Sequence, residues 1–226
     1  MSKAKVNDIF VSIQGEGKYI GQEQCFIRFY DCNLSCDFCD TKTSDFKEYS
    51  SQDLIDEIKK LILTREIKSV SLTGGEPLLQ RDFLLEFLPK LKAAGLNSYL
   101  ETNGVLHEEL FDIMDYVDVV SMDIKLPSST KQKDFWQEHE ECLEITKDKD
   151  MFVKVIICIN TTIDDFKKAV DLVSKIDPNI TFILQPNSNE MSRELADKLK
   201  EFREYAKRFL LNVKVIPQLH KALGVK

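Results

Sequence analysis

Apolar runs of strand length recur along the chain, separated by stretches with helical periodicity. CFIRFY from Cys25, SVSL from Ser69, SYLE from Ser98, VDVVSMD from Val117, FVKVIICI from Phe152, TFILQ from Thr181 and VKVIP from Val213 read as buried strands. Between the first two, Leu54, Ile55, Ile58, Leu61 and Ile62 share one face of a helix, and Ser50 and Asp53 precede it at capping-box spacing. The next helix is expected from about Phe83 to Ala94, with Gly95 closing its last turn and Pro89 kinking it or shortening its first half. Further helices are expected near His107 to Met114, Phe135 to Glu144, Ile163 to Ile176 and Ser192 to Phe209.

This alternation predicts an α/β fold of parallel strands with right-handed helical crossovers, which either a barrel or an open doubly wound sheet satisfies. The polar clusters are one-sided within that pattern. CNLSCDFCDT, TGGEP, ETNG, MDIK, QPN (with Gln185) and PQLHK all fall at the C-terminal ends of predicted strands. In both architectures the loops there converge on the active site.

Composition narrows the picture. The 226 residues are 43% hydrophobic and 31% charged, without a low-complexity tract or Pro/Gly/Ser-rich linker, so one domain spanning 1–226 is expected. A formal charge of -7 offers no general affinity for phosphate backbones, which argues against nucleic acid as a partner. MSKAKVNDIF is too polar for a signal-peptide core, and no run of about 18 apolar residues occurs, so no membrane segment and a cytoplasmic location are expected. Six cysteines are too sparse for a disulfide scaffold, yet four of them crowd between Cys25 and Cys39, where metal ligation is the better reading.

Cys32, Cys36 and Cys39 give C-x3-C-x2-C in a loop after a strand. Thiolates are soft ligands suited to iron-sulfur centres or zinc, and structural zinc normally takes four protein ligands in paired units. Three thiolates leave a coordination position open. Cys25 is the weaker candidate for a fourth ligand because it sits inside a predicted strand, and Cys142 and Cys158 read as small buried hydrophobes. A three-cysteine zinc knuckle with a remote fourth ligand stays as the alternative. In TGGEP, Gly74 and Gly75 permit close backbone approach to a ligand, Glu76 offers a carboxylate acceptor and Pro77 fixes the exit into a helix.

With Phe38 directly before its last cysteine, CNLSCDFC resembles the motif of the radical S-adenosylmethionine (SAM) superfamily, and TGGEP follows in that superfamily's order. The resemblance implies a [4Fe-4S] cluster on Cys32, Cys36 and Cys39, whose open iron binds SAM. Reductive cleavage then yields a 5′-deoxyadenosyl radical that abstracts hydrogen from substrate. It further implies that Phe38 lies near the adenine, that Gly74, Gly75 and Glu76 meet the SAM amino group, and that Glu101 and Asn103 lie by the ribose. Asp123 is then read against ribose hydroxyls and Lys125 against the SAM carboxylate, with Gln185 also on the cofactor side. A plain Asn-Gly turn at Asn103 and a surface Lys-Asp pair are the competing explanations.

SIQGEG, FIR at Phe26 to Arg28, CNLSCDFCDT and PQLHKALG together are similar to the 7-carboxy-7-deazaguanine synthase family, from about Asp8 to the C-terminus. That similarity implies a trimmed, incomplete barrel with a radical SAM core and a homodimer. It implies a magnesium-assisted ring contraction of 6-carboxy-5,6,7,8-tetrahydropterin with loss of ammonia, in 7-deazapurine biosynthesis, with flavodoxin or ferredoxin as reductant. Gln14, Gly15 and Glu16 would lie against the pterin, Arg28 would grip a carboxylate, and Thr73, His220 and the terminal carboxylate of Lys226 would complete the pocket, with Glu16, Arg28 and His220 nearest the chemistry. Thr41 would offer its hydroxyl to Mg2+, and Asp40 would orient the cluster loop or touch SAM. An ordinary turn at Thr41 and a frayed tail at Lys226 stand beside these readings. Asp31 departs from a frequent glycine and Phe38 from a frequent tryptophan. An activating enzyme that installs a glycyl radical on a protein partner is the alternative function.

Overall fold

The structure is a computed structural model that describes residues 2–39 and 45–224, with the side chains of residues 220 and 222 outside the description. Its nine strands form one sheet. They are β1 (Lys3–Ile13), β2 (Glu23–Phe29), β3 (Lys47–Ser50), β4 (Ser69–Gly74), β5 (Asn97–Thr102), β6 (Val119–Asp123), β7 (Asp150–Ile157), β8 (Thr181–Pro186) and β9 (Val213–Val215). The helices are α1 (Ser51–Ile62), α2 (Arg81–Ala93), α3 (His107–Ile113), α4 (Pro127–Thr130), α5 (Trp136–Thr146), α6 (Ile163–Ile176), α7 (Arg193–Ala206) and α8 (Leu219–Leu223).

The strand order, β3-β1-β2-β4-β5-β6-β7-β8-β9, settles which α/β architecture is present. From β2 onward every pairing is parallel and each new strand joins on the same side of the last. A doubly wound sheet reverses its order at a switch point, whereas winding without reversal places all crossover helices on one face, as in a barrel. The core agrees, since Ile27, Leu72, Leu100, Val120, Val153 and Leu184 from successive strands pack in one cluster with Ile58, Phe87, Leu110, Leu143, Val170 and Leu199 from the helices. The result is barrel-type winding left open.

One expectation needs correction. The sheet is not wholly parallel, because β1 runs antiparallel to β2 and carries β3 antiparallel on its outer side. The segment of β1 is not among the predicted strands, although the alternation of Lys3, Lys5 and Asn7 with buried Ala4 and Val6 is the period of a half-buried strand.

Helix signals behave as expected at both ends. The Ser50 hydroxyl accepts from the Asp53 amide, 3.2 Å, opening α1. Gly95, at φ +74°, closes α2 with Leu96 N–H reaching Leu91 O and Gly95 N–H reaching Lys92 O, the two bonds of a Schellman turn. Pro89 does not shorten that helix, which continues through it.

Strand alternation then divides the residues by face. Ile27 and Phe29, Val70 and Leu72, and Val153 and Val155 face the helices, while Phe26, Arg28, Thr73, Glu101, Asp123, Lys154 and Ile156 line the opposite, concave face. On this inner face Tyr99, Phe152 and Ile183 form a second, small apolar cluster backed by Tyr19. The loop after β1 folds across it, with Gly17 at φ +72° so close that a Cβ there would lie 2.4 Å from the Phe152 ring. Lys18 and Tyr19 both bond Asp150 and fasten that loop.

Candidate active site

The concave face opens into a cavity of about 670 Å3 that reaches from the loop after β1 to the cysteine loop after β2. Cys32, Cys36, Cys39 and Phe38 line one side, and Gln14, Gly15, Glu16, Arg28 and Thr73 line another. The structure therefore brings both groups of expected site residues into one space. Asp40, Thr41 and Lys226 lie outside the described residues, and of His220 only its backbone position in α8 is described.

The cysteine loop starts at Asp31, whose φ of +75° is the left-handed conformation that glycine adopts without strain. That explains the frequent glycine at this position, and Asp31 offsets its strain by accepting the Cys32 amide on its own carboxylate, 2.9 Å. Burial pushes the Cys32 and Cys36 thiols up, partly countered by the Lys125 ammonium. Iron ligation would remove those protons outright. Among the described residues no three His, Cys, Asp or Glu side chains are grouped as ligands of a single metal ion. Cys25 is wholly buried on the helix side of β2, its thiol pushed up to about 12 by burial, and plays no part in the site.

TGGEP and ETNG pack against each other and against the start of the cysteine loop. Gly74 and Gly75 line the cavity, and their missing side chains also admit the protein's own backbone: a Cβ on Gly75 would lie 1.6 Å from the Asp31 carbonyl oxygen, and one on Gly74 would lie 2.4 Å from Phe29 N and O. These glycines dock strand β4 against the start of the cysteine loop, with Glu76 N–H donating to Asp31 O at 2.9 Å. Glu76 does not present its carboxylate to the cavity. It is buried and accepts from Leu78 N at 3.1 Å, Thr102 Oγ1 at 3.0 Å and Asn103 N at 2.8 Å, while burial raises its carboxyl to about 7 against the pull of those donors. Glu101 belongs with the other end of the cavity, accepting from Gln14 Nε2 at 3.0 Å, Ser71 Oγ at 3.1 Å and Thr73 Oγ1 at 3.0 Å. The first partner spans 87 residues of sequence, a pairing that strand-end position alone does not foretell.

Asn103 stays beside the cysteines, donating to Asn33 Oδ1 at 2.7 Å. Asp123 and Lys125 pair at 2.9 Å in the cavity wall, with the ammonium 5.9 Å from the Phe38 ring centroid and the Asp123 Oδ1 atom buried without a protein donor. A hydroxyl-bearing ligand suits that orphaned oxygen. Gln185 is fully buried with both amide atoms unpartnered and is not part of the cavity wall, although its neighbour Asn187 is.

His139 was not anticipated. Its Nδ1 lies 2.9 Å from the Gly104 carbonyl, which only accepts, so Nδ1 carries the proton; Nε2 then accepts from the Lys125 amide at 3.0 Å. The ring thus joins the ETNG and MDIK loops. Burial depresses its pKa to about 4. A depressed histidine pKa gives stability that is complete above the unfolded value and declines as pH falls toward the folded one. Wild-type protein should lose about 3 kcal/mol more than His139→Gln between pH 7 and 4, read from urea denaturation. Parallel curves would contradict the assignment.

Sequence reasoning also passed over Lys154 and Gln218. Lys154 is 6% exposed on the inner face of β7, contacts the Glu16 carboxylate directly and lies 3.9 Å from Asp123. Burial alone would push its ammonium down, but Glu16, Asp123 and Glu101 hold it well above the ordinary lysine range. Gln218 donates to the other Glu16 oxygen at 2.7 Å, and Gln14 accepts the Glu16 amide at 3.1 Å. A lysine in the middle of FVKVIICI was the available signal, because burying an unpaired ammonium costs several kcal/mol.

Comparison with known proteins adds the following. The sequence pattern of the radical SAM superfamily matches residues 26–173. A Geobacter sulfurreducens protein named 7-carboxy-7-deazaguanine synthase is 35% identical over 249 residues, covering 99% of this chain and 99% of that protein. One of the same name from Thermoplasma acidophilum is 34% identical over 222 residues, covering 96% of each. Among solved structures, QueE from Escherichia coli matches 96% of this chain and 95% of its own with a TM-score of 0.69 at 20% identity. The structure of TYW1 with a lysine-pyruvate adduct matches 83% and 73% with a TM-score of 0.58 at 17% identity. At those identities the two structures share the fold.

Proposed function

Since the chain belongs to the radical SAM superfamily and, within it, to the 7-carboxy-7-deazaguanine synthase family, we propose that it converts 6-carboxy-5,6,7,8-tetrahydropterin to 7-carboxy-7-deazaguanine with loss of ammonia, assisted by Mg2+. The family makes it an enzyme that uses a [4Fe-4S] cluster and SAM. The bound cluster supplies the electron that cleaves SAM to methionine and the 5′-deoxyadenosyl radical.

One observation carries the substrate reading. SIQGEG and PQLHK, the motifs that distinguish this family in the sequence, meet in the cavity that the cysteines line: Gln218 bonds Glu16 across 202 residues, and the Leu219 amide donates to Gly15 O at 2.8 Å. The chain's residues then divide the work. Glu16 accepts from the donor edge of the pterin, Arg28 faces its carboxylate, and Thr73 with Glu101 lines the same end. Gln14, with its amide already committed to Glu101 and the Glu16 backbone, acts chiefly by fixing its neighbours. Asp123 and Lys125 serve the ribose and carboxylate of SAM, with Asn103 beside the cluster. Confinement of the radical rests on exclusion of water from this pocket.

His220 and the Lys226 carboxylate belong to the same reading, as do a homodimer, a flavodoxin or ferredoxin reductant and a cytoplasmic place in 7-deazapurine biosynthesis. No described helix is long and apolar enough to cross a membrane. Incubation of reconstituted protein with SAM, reductant and the carboxytetrahydropterin should yield 7-carboxy-7-deazaguanine by mass spectrometry, and absence of that product sinks the proposal. For magnesium, Thr41→Ala should keep uncoupled SAM cleavage near the wild-type rate and blunt the response of pterin turnover to added MgCl2; equal losses in both assays would remove the role.

A further inference from the structure

Lys154 is an expensive residue to place where it is. On its strand the inner-face neighbours are Phe152 and Ile156, and in register it faces Asp123 on β6 and Ile183 on β8. An apolar side chain of similar volume would fill the position without desolvating an ammonium. The charge therefore has work to do on what it touches. Of its two carboxylate neighbours, Asp123 is already paired with Lys125 at 2.9 Å and stands 3.9 Å away, whereas Glu16 is in direct contact.

We propose that Lys154 is a positioning residue for substrate recognition, an internal counter-ion that holds the Glu16 carboxylate turned toward a ligand with two adjacent N–H donors. This rests on the pterin reading of the pocket. A carboxylate has about four acceptor sites. Lys154 occupies one Glu16 oxygen, Gln218 the other, and Gln14 holds the Glu16 backbone, so the plane of the carboxylate is fixed from three directions. Four such sites are enough for these partners together with the paired ring and amino N–H groups of a 2-amino-4-oxopyrimidine. Without the ammonium, a carboxylate that is 17% exposed would lose the contact that fixes its orientation.

The test is a double-mutant cycle on reconstituted protein, reading the dissociation constant of 6-carboxy-5,6,7,8-tetrahydropterin without reductant, and that of SAM in parallel. Lys154→Met and Glu16→Gln should each weaken pterin binding about 30-fold or more. The double variant should bind pterin no worse than Glu16→Gln alone, because Lys154 acts only through that carboxylate. SAM affinity should move less than pterin affinity in every variant. Additive losses in the cycle, or equal losses for SAM and pterin, overturn the proposal. If Lys154→Met fails to fold with its unpaired Glu16, the charge-free double variant decides: affinity equal to Glu16→Gln supports the role and lower affinity overturns it. Wild-type protein that binds SAM but not the pterin overturns the substrate reading itself, whatever the cycle gives.

Discussion

Cys36→Ala is expected to reduce SAM cleavage to background and to leave the reconstituted protein short of iron and sulfide. In the proposed function the three cysteines of the loop are the cluster's protein ligands, and with one thiolate gone two would not hold a four-iron cluster against loss of iron. The lesion should be confined to the metal site. Cys36 is half-buried at the cavity wall and outside the hydrophobic core, so the metal-free variant should unfold at the same denaturant concentration as metal-free wild type. Cys25→Ala supplies the contrast: that thiol lies in the core between strand and helices, so its loss should lower stability yet leave iron content and SAM cleavage intact. SAM cleavage surviving in Cys36→Ala, or iron lost in Cys25→Ala, would contradict the ligand assignment.

Gly75→Ala should be comparably damaging by an unrelated route. The new methyl would sit 1.6 Å from the Asp31 carbonyl oxygen and 2.4 Å from its carbon, and both are backbone atoms that cannot swing aside as a side chain can. Relief requires separating the end of β4 from the cysteine loop, which breaks the Glu76-to-Asp31 hydrogen bond and displaces Cys32. We expect destabilisation of about 3 kcal/mol, the upper end of overpacking costs, with SAM binding lost. Urea denaturation of the metal-free protein and equilibrium SAM binding of the reconstituted one read the two effects separately. Wild-type behaviour in either would show that the two loops are not docked as described.

Much of this arrangement was legible in the sequence because it follows from local rules. Continuous apolar runs marked the parallel strands, capping at Ser50 and Gly95 marked helix ends, and the Cys32, Cys36 and Cys39 spacing marked the cluster. What escaped was set by long-range pairing. The β1 and β3 strands owe their place to antiparallel contacts that a polar alternating segment does not announce. Glu101 sits at a strand end like Asn103, and its three partners from β4 and the loop after β1 are pairings that strand-end position does not foretell. Lys154 was visible as a lone charge in an apolar strand, but its meaning came only from Glu16, 138 residues away. For Glu76 the residue type was informative and the direction was not, since the backbone donors that capture its carboxylate appear only in the folded chain.

The imidazole of His139 has a consequence for affinity. By bonding Gly104 on one side and Lys125 on the other, it joins two loops from different strands that the proposed function sets beside SAM, and Glu76 adds a second tie by holding Thr102 and Asn103. Loops fastened this way have little conformational entropy left to lose when a ligand arrives. On the proposed function, the ordering of that side of the pocket is completed during folding, so SAM would spend none of its binding free energy on assembling that wall.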